Sequence, residues 1–434
     1  MKKTILGTSL LMIMSIDIHA ENLIGYIYNS NNTPAEYNVA DNISEPIEIK
    51  SVRGILGEYD LMEHTKGQLR TGYITFLEDG ASRTSSYALA GHYHFNTKRW
   101  NGLMIGAEAY TVLNLGINQN SLNINGDFFD DKGNSFISLT KAFLGGKWGN
   151  TELKLGRQSL DTPHADSDDI RMMPNYFEAY TVTNMDIDNL TLTAGFINKM
   201  AGWENGINSA DFVDVGETLG TDKIDGISYA SISYELMKDL SLSLWYYNYS
   251  DIANVVYVET GYSYELSKNV LLTLGLQYDA SHETGASLLG KQDAQTYGVS
   301  VESKFEDLGV TVLAAYNKDS GDTGAMSLSL GGGTFFTSME DQTLDALGMA
   351  GEAWIIGTGY NFKNLGINDL TFGVAYGSFE ADDASIYKSR EADAVLEYNF
   401  NDQITATATY ASVDFRVSNI EDYNQFTAIV NYNF

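Results

Sequence analysis

Apolar and polar residues alternate with a period of two along most of the chain from Gln68 onward. The pattern is clearest in LTLTAGF from Leu190, LSLSLWYYNY from Leu240 and QITATATY from Gln403. Successive side chains of a β-strand point to opposite faces, so this period predicts strands with one apolar face. The sequence therefore predicts an all-β fold of about eighteen strands, with sixteen as the alternative. The predicted strands lie near 68–77, 85–95, 103–112, 135–144, 151–158, 176–185, 190–199, 225–235, 240–249, 253–265, 270–280, 295–305, 310–317, 352–361, 369–379, 391–400, 403–413 and 426–434.

The connections between these segments alternate in length. Every second connection is a short turn, such as ELMKDL, ELSKNV or NFNDQ, whereas the intervening connections are longer and polar. The longer ones include 113–134, 159–175, 200–224, 281–294 and 318–351. Short turns at one end and long loops at the other are typical of a transmembrane antiparallel β-barrel with periplasmic turns and extracellular loops.

Aromatic residues precede the short turns and also end the last segment. They are Tyr234, Tyr264, Phe305, Phe362, Phe400 and Phe434. Rings at this level are typical of the interfacial girdle of a membrane barrel. Packing in a soluble core would explain the aromatic residues but not the unequal connections. In a closed barrel the last strand pairs with the first, so we expect Phe434 to lie in the periplasmic girdle. A terminal Phe also resembles the assembly signal of bacterial outer-membrane proteins.

The first sixty-seven residues precede the first clear strand. Residues 1–20 have the pattern of a bacterial signal peptide, with Lys2 and Lys3, an apolar run, and Ala20 before Glu21. A buried N-terminal helix is the alternative. Residues 21–67 are then a periplasmic leader segment, and 68–434 form the barrel. No proline follows Pro174, which fits a continuous sheet because proline lacks the N–H that a central strand donates.

The composition narrows the set of partners. The formal net charge is −31 and the chain has no cysteine. Such an acidic protein is a poor partner for nucleic acid, and without cysteine there are no disulfides or thiolate metal sites. The predicted partners are outer-membrane lipid and lipopolysaccharide, the barrel assembly machinery and small hydrophilic solutes. A monomer and a homotrimer both remain open.

One polar segment, LGRQSLDTPHADSDDIRMMPNYFEAY at 155–180, resembles the OprD-like family of outer-membrane porins of Gram-negative bacteria. The matching features are Gly156, Gln158, Thr162-Pro163, Asp169-x-Arg171-Met172-Met173-Pro174 and Phe177-Glu178. FFTSMEDQTLDA at 335–346 is similar to another loop of such porins, with less specificity. The resemblance implies an eighteen-stranded channel whose third loop folds inward and narrows the pore. It also implies that some relatives take up small carboxylates or amino acids past a row of lumenal arginines.

The third long connection, 159–175, is the candidate pore constriction. Pro163 and Pro174 stiffen it because proline fixes φ. Charged residues on this loop would supply a local field in a narrow pore. These candidates are Asp161, Asp166, Asp168, Asp169 and Arg171. A solvated acidic loop with one incidental arginine is the alternative.

The alternation also assigns residues to the lumen. The candidates are Arg70, His92, His94, Glu108, Lys154, Glu259, Asp279, Glu302, Lys304 and Glu397, and the same count adds Glu152 and Asp393. Acids outnumber bases in this set, which predicts a preference for cations and argues against carboxylate uptake. No third metal ligand is visible near His92 and His94, so we interpret both as polar lining.

No enzyme motif is found in the sequence. Neither G-x-S-x-G nor H-E-x-x-H occurs, although a barrel lipase with Ser and His on different strands is conceivable. We predict no enzyme activity, no metal and no cofactor. The sequence thus predicts an outer-membrane porin that passes small hydrophilic solutes and ions by passive diffusion and prefers cations. The alternatives are a substrate-selective OprD-like channel for small carboxylates or amino acids, and a structural or adhesin barrel.

Overall fold

A computed structural model of the chain describes residues 62–118, 123–130, 133–237, 239–324, 328–331, 333–418 and 420–434. The predicted signal peptide and the predicted leader up to residue 61 lie outside this part of the chain. Within it, eighteen long strands form one antiparallel sheet in which the last strand pairs with the first. The prediction of an all-β barrel with eighteen strands is therefore confirmed, and the alternative of sixteen strands is wrong.

We number the wall strands along the chain. They are β1 (Met62–Glu78), β2 (Thr84–Thr97), β3 (Leu103–Leu113), β4 (Phe136–Trp148), β5 (Thr151–Gln158), β6 (Tyr176–Ile187), β7 (Leu190–Ala201), β8 (Ile227–Met237), β9 (Leu240–Tyr249), β10 (Ala253–Ser267), β11 (Val270–Glu283), β12 (Asp293–Phe305), β13 (Val310–Gly321), β14 (Gly351–Asn361), β15 (Leu370–Ala381), β16 (Lys388–Asn401), β17 (Ile404–Phe415) and β18 (Tyr423–Asn433). Three two-residue strands lie in the loops: Asp161–Thr162, Ala165–Asp166 and Val213–Asp214.

Several strands are longer than the sequence predicts. β1 begins at Met62 rather than at 68, so the predicted leader 21–67 runs too far, and β13 continues to Gly321 rather than ending at 317. Backbone N–H and C=O groups must be paired wherever the hairpin continues, whereas side chains need an apolar face only within the lipid layer. The alternation in the sequence therefore fades before the strand ends.

Each wall strand points alternate side chains outward and into the lumen. On β11 the outward Leu276 is 56% exposed and the inward Gln277 is buried, and on β14 Ile356 and Ile355 show the same contrast. Large apolar side chains exposed over so many strands are not tolerated on a water-facing surface. They mark the surface that faces lipid.

The two ends of the barrel differ as predicted, although the connection lengths overlap at a few places. One end has tight turns such as 149–150 and 402–403, and Tyr234, Tyr264, Phe400 and Phe434 are exposed there. Phe305 and Phe362 at the same end are half-buried. The opposite end carries the long connections, but 250–252 between β9 and β10 is a tight turn closed by the hydrogen bond from the Ile252 N–H to the Tyr249 C=O at 3.1 Å.

Described residues of several connections pack against the inner wall. Among these connections are the second loop (114–135, described at 114–118, 123–130 and 133–135), the third loop (159–175) and the seventh loop (322–350, described at 322–324, 328–331 and 333–350). Phe128 of the second loop and Met172 of the third pack with Ile74 of β1, and Phe336 of the seventh packs with Ile355 of β14. Fully burying each such side chain contributes roughly 1.5–3 kcal/mol. These contacts hold the loops inside the lumen.

The helices in the described part of the chain are short. Four are 3-10 helices, at Gly126–Phe128, Trp203–Asn208, Leu344–Leu347 and Phe362–Leu365, and one is an α-helix at Val215–Thr218. Across the described ranges, no helix has the length and apolar character that crossing a membrane would require.

Candidate pore constriction

The third loop begins with a small hairpin. Asp161 and Thr162 pair with Asp166 and Ala165 respectively, and the Ala165 N–H donates to Thr162 Oγ1 at 3.0 Å. Pro163 is tolerated in this turn because proline fixes φ and needs no donor there. The hairpin places Asp161 and Asp166 directly opposite each other, so two like charges face one another.

These opposed carboxyl groups hold their protons more tightly than usual. Burial raises the pKa of Asp161 to about 6, although Lys154 and Lys141 act in the opposite direction. Burial and the neighbouring Asp161 raise the pKa of Asp166 to about 8. Burial and Asp166 also raise the pKa of Asp168 well above its usual range. The third loop therefore gains negative charge as the pH rises through the neutral range.

His164 connects the turn of this hairpin to the wall. Its Nε2 lies 2.7 Å from Oδ2 of Asp279 on β11, and both side chains are buried. The imidazole lies edge-on to the rings of Tyr247 and Tyr257, with centroids 5.3 and 6.1 Å away. The His164 C=O accepts the Leu330 N–H of the seventh loop at 2.9 Å. His164 thus joins both loops to one side of the barrel.

Arg70 and Asp169 form the main ion pair at the constriction. Arg70 lies on the lumen face of β1, is 1% exposed, and donates through Nη1 and Nη2 to the two carboxylate oxygens of Asp169. Arg70 Nη1 also donates to the Arg171 C=O at 2.8 Å, and Nε donates to Asn431 Oδ1 at 2.7 Å. A bidentate pair of this kind fixes orientation as well as charge. It holds the third loop against β1 and β18.

Arg171 connects the third loop to the seventh. Its Nη1 lies 3.6 Å from Oε1 of Glu340, and both side chains are buried. Its guanidinium also lies 5.7 Å from the ring centroid of Trp203. Burial disfavours the charged form, but Glu340 and other nearby carboxylates raise the pKa of Arg171 above its usual value. Arg171 therefore stays cationic and neutralises Glu340.

Two wall acids on β16 hold the seventh loop by its backbone. The Glu391 carboxylate accepts the N–H groups of Asp341 and Gln342, each at 2.8 Å, and Asp393 accepts the Glu340 N–H at 3.2 Å. Charge-assisted bonds of this type are among the stronger hydrogen bonds in proteins. These acids act as anchors for the loop, so counting every lumenal acid overstates the charge that faces the pore.

A cavity of about 50 Å³ lies between the loops and one side of the wall, and we refer to this cavity as the passage. The loops contribute Asp169, Ile170 and Glu340 to its lining, and the wall contributes Arg70, Thr407, Thr409, Thr427, Ile429 and Asn431. Hydroxyl and amide groups dominate the wall side. The charged side chains on the lining therefore come from Arg70 and from the two loops.

The lumen candidates of the sequence all lie on inward positions of the wall. They are Arg70, His92, His94, Glu108, Lys154, Glu259, Asp279, Glu302, Lys304 and Glu397, together with Glu152 and Asp393. Most of them contact a partner within the lumen. His94 Nδ1 lies 3.7 Å from Glu108 Oε2, Lys154 lies 4.5 Å from the ring centroid of Phe143, and Lys304 lies 3.4 Å from Glu306.

The structure also shows lumenal charges that the sequence reading missed. Lys141 lies 3.4 Å from Glu108, and Lys147 lies 2.5 Å from Glu152. A register shift between Glu108 and Ala109 on β3 changes the alternation on β4, so simple counting misplaces Lys141. Glu391 follows the same alternation as Asp393, so the same count could have assigned it to the lumen. Glu340 lies in a loop, where no period applies.

The histidines remain separate from any metal-binding arrangement in the described part of the chain. His92 packs with Tyr110, at a ring-centroid distance of 5.3 Å. Among the described residues, no group of three or more His, Cys, Asp or Glu side chains could hold a metal ion.

A closed eighteen-stranded barrel with a lipid-facing apolar belt and with loops folded into its lumen defines a channel of the outer-membrane type. The family model "outer membrane porin, OprD family" matches residues 131–434. The chain belongs to the OprD family of outer-membrane porins. Its location is the bacterial outer membrane, and its class of activity is that of a channel.

Solved structures share the fold at low sequence identity. Pseudomonas aeruginosa OccK9 (OpdG) has a TM-score of 0.75 and 19% identity, and covers 86% of this chain and 98% of its own. Pseudomonas aeruginosa OpdK, solved with vanillate, has a TM-score of 0.73 and 20% identity, with 86% and 99% covered. Acinetobacter baumannii OccAB3 has a TM-score of 0.73 and 16% identity, with 86% and 99% covered. No curated protein matches the chain.

Proposed function

We propose that this porin is a passive diffusion channel for small hydrophilic solutes and ions, that it prefers cations, and that its constriction is formed by the third and seventh loops. One observation supports the preference for cations over anions. Arg70 on the lining is matched by Asp169, and Arg171 of the third loop is matched by Glu340, so the lining carries two acidic side chains and one basic side chain. Fixed negative charge in a narrow aqueous pore attracts cations and repels anions.

The reversal potential in a potassium chloride gradient tests this proposal. For purified protein in a planar bilayer we expect the sign of a cation-preferring channel. Salt screens fixed charges over about 8 Å at physiological ionic strength, so the preference should be strongest at low salt. Changing Asp168 and Asp169 together to Asn should weaken the preference, and Arg171→Ala should strengthen it. A reversal potential of the opposite sign in the wild type would overturn the proposal.

A substrate-selective channel for small carboxylates or amino acids is the second candidate. Such a channel needs cationic donors that are available to the solute. Four of the five N–H donors of Arg70 are already engaged by Asp169, Asn431 and the Arg171 C=O, which leaves little capacity for a solute carboxylate. A structural or adhesin barrel is the third candidate, and electrically silent insertion into the bilayer would favour it.

The assembly partners follow from the same proposal. We propose that Phe434 takes part in the signal that the barrel assembly machinery recognises, and that the finished barrel contacts lipopolysaccharide as a monomer or a homotrimer. The exposed position of Phe434 beside Gly67 at the barrel seam supports the first part. Cross-linking of the assembled protein in membranes would decide between the two oligomeric states.

A further inference from the structure

Three buried oxygen atoms, two on the lining of the passage and one on the next residue of the seventh loop, have no hydrogen-bond donor among the described residues. They are Oε2 of Glu340, Oδ2 of Asp341 and Oγ1 of Thr427. The three residues are 3%, 8% and 5% exposed, so water reaches them poorly. Buried acceptors without donors are unfavourable and uncommon in folded proteins. A ligand that brings N–H groups would supply the missing donors.

These three acceptors belong to one place in the lumen. Glu340 and Thr427 line the same passage, and Asp341 follows Glu340 in the seventh loop. The Gln425 side-chain amide, two residues before Thr427 on the same face of β18, lies 3.5 Å from the other oxygen of Asp341. The backbone bonds to Glu391 and Asp393 hold this part of the seventh loop in position. The acceptors are therefore presented by a fixed framework.

The side chains around these acceptors are mainly acidic. The carboxyl groups of Glu340, Asp341, Glu391 and Asp393 lie in one region, and the Arg171 guanidinium lies 3.6 Å from Oε1 of Glu340. Burial and the adjacent Glu340 raise the pKa of Asp341 well above its usual range. A cation beside Asp341 would favour its charged form. The electrostatics thus select a positively charged ligand.

The passage offers no matching site for an anionic group. Arg70 is the base on the lining, and Asp169 neutralises it in a bidentate pair. A solute carboxylate would have to displace Asp169 from Arg70 and would also face Glu340. The lining therefore disfavours a carboxylate-bearing solute while it accommodates a cation.

We propose that the passage contains a binding site for the primary ammonium group of a small amine that carries no carboxylate, formed by Glu340, Asp341 and Thr427. An ammonium has three N–H donors and no acceptor, which corresponds to the three free acceptors. A metal ion is a poorer fit because the described His, Asp and Glu residues make no group of metal-binding geometry. The inference rests on the proposed cation-preferring channel and adds the solute class.

Three probes of equal chain length test this site: 1,4-diaminobutane, 4-aminobutanoate and 1,4-butanediol. Each is added to the full protein in a planar bilayer, and the potassium current is recorded against probe concentration. We expect saturable block by the diamine, with a half-blocking concentration at least about tenfold below that of 4-aminobutanoate and no block by the diol. Equal block by all three probes, or no block by the diamine, would overturn the inference.

Two variants locate the site. Asp341→Asn and Thr427→Val each remove one acceptor, and we expect each to raise the half-blocking concentration of the diamine, by about tenfold for the charged group and less for the hydroxyl. If Asp341→Asn fails to assemble, Thr427→Val is used to test the inference, because valine has nearly the same shape as threonine. Asp383→Asn, on the exposed loop between β15 and β16, is the matched control and should change nothing. Unchanged block in both site variants would contradict the inference.

A reversal potential in plain potassium chloride, measured on the same channels, separates this inference from the proposed function. Cation preference without diamine block would remove the ammonium site and leave the channel proposal standing. Anion preference together with diamine block that Asp341→Asn weakens would remove the cation preference and leave the site standing. The two measurements therefore test the ammonium site and the cation preference separately.

Discussion

Gly67 and Phe434 exchange both of their backbone hydrogen bonds across the barrel seam. The Gly67 N–H donates to the Phe434 C=O at 2.8 Å, and the Phe434 N–H donates to the Gly67 C=O at 2.9 Å. The Phe434 ring lies over the glycine, because a Cβ built on Gly67 would be 2.5 Å from Cζ of that ring. A ring of this kind covers a glycine on the neighbouring strand and protects the backbone pairing beneath it.

Removal of Phe434 should therefore reduce barrel assembly more than it changes the conductance of assembled channels. The deletion removes two backbone bonds, worth roughly 1–3 kcal/mol together, and uncovers Gly67, but it leaves the lumen intact. The measurement is the fraction of heat-modifiable barrel in membranes, followed by single-channel conductance. Phe400→Ala removes another exposed aromatic ring at the same end of the barrel, away from the seam, and is the control. An equal loss in both variants would show that the seam has no special role.

The strands could be predicted from the sequence because lipid enforces the alternation. The predicted segment 240–249 coincides with β9, where each outward side chain meets lipid and each inward one meets the lumen. The extension of β1 to Met62 was not predicted from the sequence. The backbone of this part of β1 pairs with β2, and backbone pairing does not require a side-chain period.

The site was harder to predict than the wall. Alternation assigns Asp279 to the lumen, but it does not show that Asp279 binds His164 from the third loop. The contact between Arg171 and Glu340 joins two loops that are far apart in the sequence and have no period of their own. Counting lumenal acids by alternation overestimates the negative charge that faces the pore. Glu391 and Asp393, for example, bind backbone N–H groups of the seventh loop. Such pairings depend on how the loops fold back into the lumen.

Asp169→Asn should weaken cation preference more than Asp168→Asn does. Asp169 neutralises Arg70 on the lining of the passage, so its loss adds one uncompensated positive charge there. One unit charge about 8 Å away in a water-like medium changes the local ion concentration by about twofold. Because the added charge lowers the potassium concentration and raises the chloride concentration, we expect the permeability ratio of potassium to chloride to fall by about fourfold at low salt. Equal effects of the two substitutions would contradict the assigned role of the ion pair.

Glu391→Ala should loosen the seventh loop and widen the passage. The substitution leaves the N–H groups of Asp341 and Gln342 without their acceptor, at a cost of roughly 1–3 kcal/mol for each buried group. We expect higher single-channel conductance, more current noise and faster proteolysis within the seventh loop. Glu391→Gln keeps one carbonyl oxygen and should have a smaller effect. If the alanine variant conducts like the wild type, Glu391 does not hold the loop.

Cation preference should increase as the pH is raised from about 5 to 9. The pKa is about 6 for Asp161 and about 8 for Asp166, both raised mainly by burial, so the hairpin of the third loop is mostly neutral at pH 5 and doubly negative at pH 9. Each deprotonation adds negative charge to the third loop and increases the attraction of potassium relative to chloride. Asp166→Asn removes the carboxyl group that titrates near pH 8, so the increase between about pH 7 and pH 9 should be smaller than in the wild type. Asp383→Asn is the control, because this exposed carboxyl group has a lowered pKa and is charged throughout the range. Reversal potentials recorded at several pH values measure the ratio directly, and a flat profile in the wild type would show that the opposed aspartates do not influence the pore.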